Sequence, residues 1–259
     1  MLVIVLTVSC SDYQKLLKSP DANLKYERAQ EYFNQKKYQR ALTLFDDVAT
    51  YYKGTERSQE VLNYIARSYV GMKSYTSAGE YYELYIRNYP KGRYIVEARY
   101  MVGHCAALES PDAKLDQTDT HKAIDALTLF LELYPESDYA PQAAQELEQM
   151  YDKLALKEYN NAKLYYNLGT YLGNNYESCV IVARNALKKY PGNSYQEELQ
   201  WLILQSKYQQ LLRSVEERKE ERAIDTDDEC YNFLNEYPQT KHRRAIERIR
   251  RDAQKILKN

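Results

Sequence analysis

Shifted by 37 residues, the sequence falls on itself: Ala29, Ala66 and Gly103 coincide, as do Tyr32 with Tyr69, Tyr38 with Tyr75, Ala41 with Ala78, Phe45 with Tyr82, and Tyr52 with Tyr89. Small residues meet small ones and aromatics meet aromatics, so the chain consists of units that bury the same face repeatedly. Four of its seven prolines follow a tyrosine at the end of an apolar run, at Tyr89-Pro90, Tyr134-Pro135, Tyr190-Pro191 and Tyr237-Pro238.

Counting back from Tyr52 and from these four tyrosines gives the local structure. Eleven positions earlier stand compact residues, Ala41, Ala78, Ala123, Cys179 and Thr226. Four earlier stand Val48, Tyr85, Phe130, Ala186 and Phe233, and three earlier Ala49, Ile86, Leu131, Leu187 and Leu234. Offsets of three, four, seven and eleven lie on one face of an α-helix. The proline stops each helix and holds the tyrosine before it away from helical backbone. Three residues past each tyrosine, Thr55, Gly92, Ser137, Asn193 and Thr240 are expected to cap the next helix. Turns this short make successive helices antiparallel neighbours.

Eight glycines in 259 residues leave little for tight-turned sheets, and the fold class expected is all-α. A unit with a small residue where its helices cross, then Ala, then an aromatic four later, then Pro, resembles the tetratricopeptide repeat. Ala66, Tyr69, Ala78, Tyr82 and Pro90 match it closely. The architecture expected is a superhelical solenoid of five helix pairs, closed by a basic amphipathic capping helix over Lys241–Leu257 with Ala245, Ile249, Ala253 and Ile256 on its apolar side. Later repeats are longer. Their extra residues fall at Glu109–Thr120, Lys157–Asn161 and Arg213–Arg222. We place repeats one to three in residues 11–135, and repeats four and five with the cap in 136–259.

Residues 1–10 read differently. "MLVIVLTVSC" is apolar, too short to span a bilayer, and shrinks through small residues to Cys10, like the end of a bacterial lipoprotein signal. Cys10 is the expected lipidation site and membrane anchor. Cys105, Cys179 and Cys230 lie in apolar helical patterns without metal-ligand spacing and are expected to be small core residues.

The third and fourth repeats carry a more specific likeness. "LDQTDTHKAIDALTLFLELYPESDYAPQA" (Leu115–Ala143) and "YYNLGTYLGNNYESCVIVARNALKKYP" (Tyr165–Pro191), with the opening "KYERAQEYFNQKKYQRALTLFDDV" and Cys10, resemble the BamD family, lipoproteins of the outer-membrane β-barrel assembly machinery. The resemblance covers nearly the whole chain. It implies a scaffold anchored by lipid on the periplasmic face of the outer membrane, and as partners the barrel-forming subunit BamA and unfolded outer-membrane proteins.

No catalytic or metal-binding constellation stands out. The three histidines, His104, His121 and His242, lack ligand spacing, and there is neither a phosphate-binding glycine loop nor a nucleophile elbow. No cofactor and no small-molecule substrate are expected. Net charge near −1 offers no field for nucleic acid, and the basic C-terminal stretch reads as a solenoid cap. In a tetratricopeptide array the first helix of each pair lines the concave wall. The repeat register puts Tyr26, Asn63 and Tyr100 in one row of that wall and Gln30, Arg67 and His104 in the next. Aromatic and hydrogen-bonding residues in a groove suit a peptide partner. A tetratricopeptide lipoprotein organising a cell-wall or nutrient-uptake complex is the alternative reading.

Overall fold

A computed structural model describes residues 8–258, with side chains from residue 12 onward. The segment 1–7 and the Cys10 side chain, where lipidation is expected, lie outside the described residues. Among the described residues every regular element is a helix. After α1 (Val8–Leu17) come five pairs: α2 (Ala22–Asn34) with α3 (Tyr38–Ala49), α4 (Arg57–Gly71) with α5 (Tyr75–Asn88), α6 (Ile95–Glu109) with α7 (Thr118–Leu133), α8 (Ala140–Leu168) with α9 (Asn175–Lys189), and α10 (Gln196–Leu212) with α11 (Lys219–Glu236). The last helix is α12 (Arg243–Leu257). From α2 to α7, and again from α9 to α12, each helix packs on the next one in the chain, as in a tetratricopeptide-like array.

The chain forms two compact units. The first holds the residues up to Pro111 together with Gln117–Leu147; the second holds Asp112–Asp116 and Glu148–Asn259. In the first unit, Ala29, Leu44, Phe45 and Ile65 are buried in one cluster, Ala66, Ala78, Tyr82 and Tyr85 in the next, and Tyr100, Leu127, Phe130 and Ala143 in a third. The residues that coincide in the 37-residue shift are thus the ones that pack. Gly103 belongs to this set because a Cβ there would come within 2.8 Å of the Leu127 side chain, so α6 and α7 can approach only over a bare backbone. In the second unit, Ala162, Cys179, Ala183, Leu199 and Ile203 form one cluster, and Leu204, Cys230, Phe233, Ile246 and Ile249 another. Cys105, Cys179 and Cys230 are free, buried thiols, as expected of small core residues. Burial pushes those of Cys105 and Cys230 up to about 12.

The four Tyr-Pro pairs share one backbone solution. Tyr89, Tyr134, Tyr190 and Tyr237 each end a helix, with φ between −138° and −121° and ψ between 55° and 69°. Each N–H still donates to the carbonyl four residues back. The proline ring excludes helical backbone at the preceding residue, and these tyrosines leave it without becoming fully extended. Tyr52, which Lys53 follows, shows what happens without proline. Thr50, the residue after α3, keeps helical angles, and the chain turns at Gly54, whose φ is +83°.

Three details depart from the sequence expectation or were left open by it. The expected capping residues act in the turn before the helix. The oxygens of Ser137, Asn193 and Thr240 accept from the N–H two residues on, in Tyr139, Tyr195 and His242, while α8, α10 and α12 start only after those residues. A hydroxyl or amide that can close a local turn does so when the preceding proline has set one up. The extra residues Lys157–Asn161 form no loop; they lengthen α8 to 29 residues. On α12 the buried positions are Ile246, Ile249 and Ala253, so the core-facing row runs through Ile246 and not Ala245. α12 begins at Arg243, two residues later than expected, and Ile246 reaches the cluster around Phe233.

Candidate binding surface

The six residues expected to form a wall lie on α2, α4 and α6 of the first unit. Asn63 Oδ1 is buried without a partner among the described residues, and the other five tie neighbouring first helices together, α6 reaching the start of α8. The Tyr26 hydroxyl on α2 donates to Glu60 on α4 at 2.7 Å, and Gln30 donates to the Tyr64 hydroxyl at 3.3 Å. The Arg67 guanidinium on α4 lies over the Phe33 ring of α2, 5.4 Å from its centroid, and 3.7 Å from Glu97 of α6. On α6, the Tyr100 hydroxyl donates to Glu146 of α8 at 2.9 Å, and His104 Nδ1 stands 2.8 Å from the same oxygen. Each clasp links the first helix of one repeat to the first helix of the next.

Burial separates the two rows. Tyr26, Asn63 and Tyr100 are 5%, 3% and 3% exposed, so they lie between helices. Gln30 and His104 are part-exposed and Arg67 is exposed. The Tyr100 ring stacks on His104 on one side and on Tyr139 on the other, with the Tyr139 centroid 4.9 Å away. Around this layer Tyr64, Glu97, His104 and Tyr139 are part-exposed, and Arg67 and Gln142 are exposed.

The electrostatics keep the hydroxyls as donors. Burial first, and then Glu60, push the Tyr26 hydroxyl far above the ordinary phenol range; burial and Glu146 do the same for Tyr100. Burial also pushes the Glu146 carboxyl up, but the hydrogen bond and charge of His104, with hydrogen bonds from Tyr100 and Gln142, bring it below its usual value. Glu146 is therefore an anion that accepts from three side chains at once.

The acceptors Glu60, Tyr64, Glu97 and Glu146 do not appear among the six residues read from the register. A signal for two of them exists. Tyr26 to Glu60 and Gln30 to Tyr64 are both 34 residues apart, three short of the repeat, which is one helical turn back on the neighbouring unit. His104 to Glu146, 42 apart, is the same step across the longer third repeat.

The family model described as outer membrane lipoprotein, YfiO, matches residues 19–173. The chain belongs to this family. No curated protein matches it. The YfiO match runs from the turn before α2 to the turn after α8, so it includes all six wall residues and their acceptors, whereas Cys10 and the helices α9 to α12 lie outside it. Membership puts the chain among outer membrane lipoproteins, and no helix among its described residues is long and apolar enough to cross a membrane.

Proposed function

We propose that this YfiO-family chain is a non-enzymatic scaffold of outer-membrane β-barrel assembly, held by lipid on Cys10 at the periplasmic face of the outer membrane. It binds the barrel-forming subunit, BamA in the machinery the BamD family serves, and segments of unfolded outer-membrane proteins. The family match over α2 to α8 carries this reading. The clasped first-helix face supports it. Its buried row (Tyr26, Asn63, Tyr100) makes a stiff backing, and the row in front (Gln30, Arg67, His104) offers side chains to a peptide without reorganising the helices behind, which lowers the entropic cost of binding. Acyl chains on Cys10, at about 0.8 kcal/mol per buried CH2, make release from the bilayer negligible.

Three measurements test the proposal. The mass of the mature N-terminal peptide is expected to show Cys10 carrying diacylglycerol and an amide-linked acyl chain. Depletion of the protein is expected to lower many unrelated barrel proteins together, and purification from solubilised outer membranes to recover a barrel-forming subunit. Loss of a single envelope pathway with barrel proteins unchanged would assign the chain to another tetratricopeptide lipoprotein function.

A further inference from the structure

On the other side of the first unit from the clasped wall, α5, α6 and α7 enclose a groove of about 510 Å3. Gly79 of α5, Val102 and Ala106 of α6, and Ala126 and Leu129 of α7 line it. Val102 and Ala106 stand two residues past Tyr100 and His104, about 200° round the helix, so the groove and the wall use different faces of α6. Its apolar lining is mostly small, Gly79, Cys105, Ala106 and Ala126, with Leu129 48% exposed.

The rim is predominantly acidic. Of its five carboxylates, Glu80, Glu83, Glu109, Asp119 and Asp125, Glu83 is 3.5 Å from Arg87, Asp119 is 2.8 Å from Lys122 and Glu109 accepts from the Thr76 N–H. Among the described residues no ion pair joins Glu80 or Asp125. The whole chain is nearly neutral, so this concentration is local. An anionic lipid surface or a nucleic acid would be repelled, and a purely apolar ligand would leave the rim unanswered.

Gly79 adds a second, independent observation. It sits inside α5 with helical backbone, where glycine is less favourable than alanine. The fold does not require it: a Cβ there would meet only Cys105 Cβ, at an ordinary 3.8 Å. By contrast, a Cβ at Gly71 would come within 2.4 Å of the Tyr38 ring, and one at Gly103 within 2.8 Å of Leu127. What a side chain at position 79 would occupy is the groove. We propose that this groove is a docking site for a cationic amphipathic peptide segment of a partner protein, one that lays small or medium apolar side chains on the floor and directs Lys or Arg to the carboxylates on either side.

The test uses the full chain in a non-ionic detergent and a fluorescent 14-residue peptide in which leucines and lysines form two faces of one helix, with a counterpart carrying Glu for every Lys. Binding is read by anisotropy, and the detergent, common to all samples, cancels between variants. The Lys peptide is expected to bind saturably and the Glu peptide not to. Gly79→Leu, which fills the groove, is expected to weaken the Lys peptide at least tenfold, and the double variant Glu80→Gln/Glu83→Gln at least threefold, with weaker salt dependence. Circular dichroism checks that each variant keeps its helices. Equal binding of the two peptides, or unchanged affinity in Gly79→Leu, overturns the proposal. If Gly79→Leu loses its helices, the exposed Glu80/Glu83 variant decides, and unchanged affinity there is also a refutation.

Discussion

His104 Nδ1 stands 2.8 Å from Glu146 Oε1, joining α6 to α8 at a point where the Tyr100 hydroxyl donates to the same oxygen. The folded carboxyl lies below its ordinary value of 4.5. Its contribution to stability is therefore present above that value and lost as pH falls through the lower folded value. Glu146→Gln is expected to lose about 1 kcal/mol at neutral pH and to show a shallower fall in Tm below pH 4.5 than the parent chain, as followed by circular dichroism.

Glycine is used in two ways, and substitution separates them. Gly71→Ala and Gly103→Ala place a Cβ against the Tyr38 ring and Leu127 and are each expected to cost about 1–3 kcal/mol in urea unfolding. Gly79→Ala meets nothing closer than 3.8 Å. It is expected to be neutral or to stabilise by up to about 1 kcal/mol through helix propensity.

In the second unit, Lys207 of α10 is 8% exposed and lies between Asp225 at 2.7 Å and Glu229 at 2.6 Å, both on α11. Arg184 of α9 stands 3.7 Å from the same Glu229 oxygen. Lys207→Met removes the nearest cation from a mostly buried carboxylate and is expected to cost about 2 kcal/mol in denaturant unfolding. Adding Glu229→Gln is expected to restore part of that, a coupling that a double-mutant cycle measures.

The three buried thiols are poor nucleophiles because burial raises the pKa of each. A disulfide reagent is expected to leave Cys105, Cys179 and Cys230 unmodified for minutes in the native protein and to titrate all three in denaturant. The same count bears on the proposed anchor. A lipidated Cys10 gives three titratable thiols and a free one gives four.

The clasps explain why the wall was only partly legible in the residue pattern. The repeat register locates Tyr26, Asn63 and Tyr100 on the first helices, but their burial depends on how closely α2, α4, α6 and α8 approach one another. Small residues set that distance through tertiary contact. The turn residues show the same limit. Ser137, Asn193 and Thr240 announce a helix start in sequence, yet a local hydrogen bond to the residue two positions on outcompeted the cap once the chain had folded back after Tyr-Pro.

The residue pattern was enough for the helices, their number from α2 to α12, the four ends at Tyr-Pro and the buried face of the second helix of each pair. These follow from periodicity and from proline sterics, which act within a few residues. Long-range packing set the rest: repeat four lengthens α8, Ile246 and not Ala245 faces the core, and a chain of almost no net charge gathers five carboxylates round one groove. Those outcomes depend on which residues distant in sequence come within a few ångströms, and no local pattern encodes that distance.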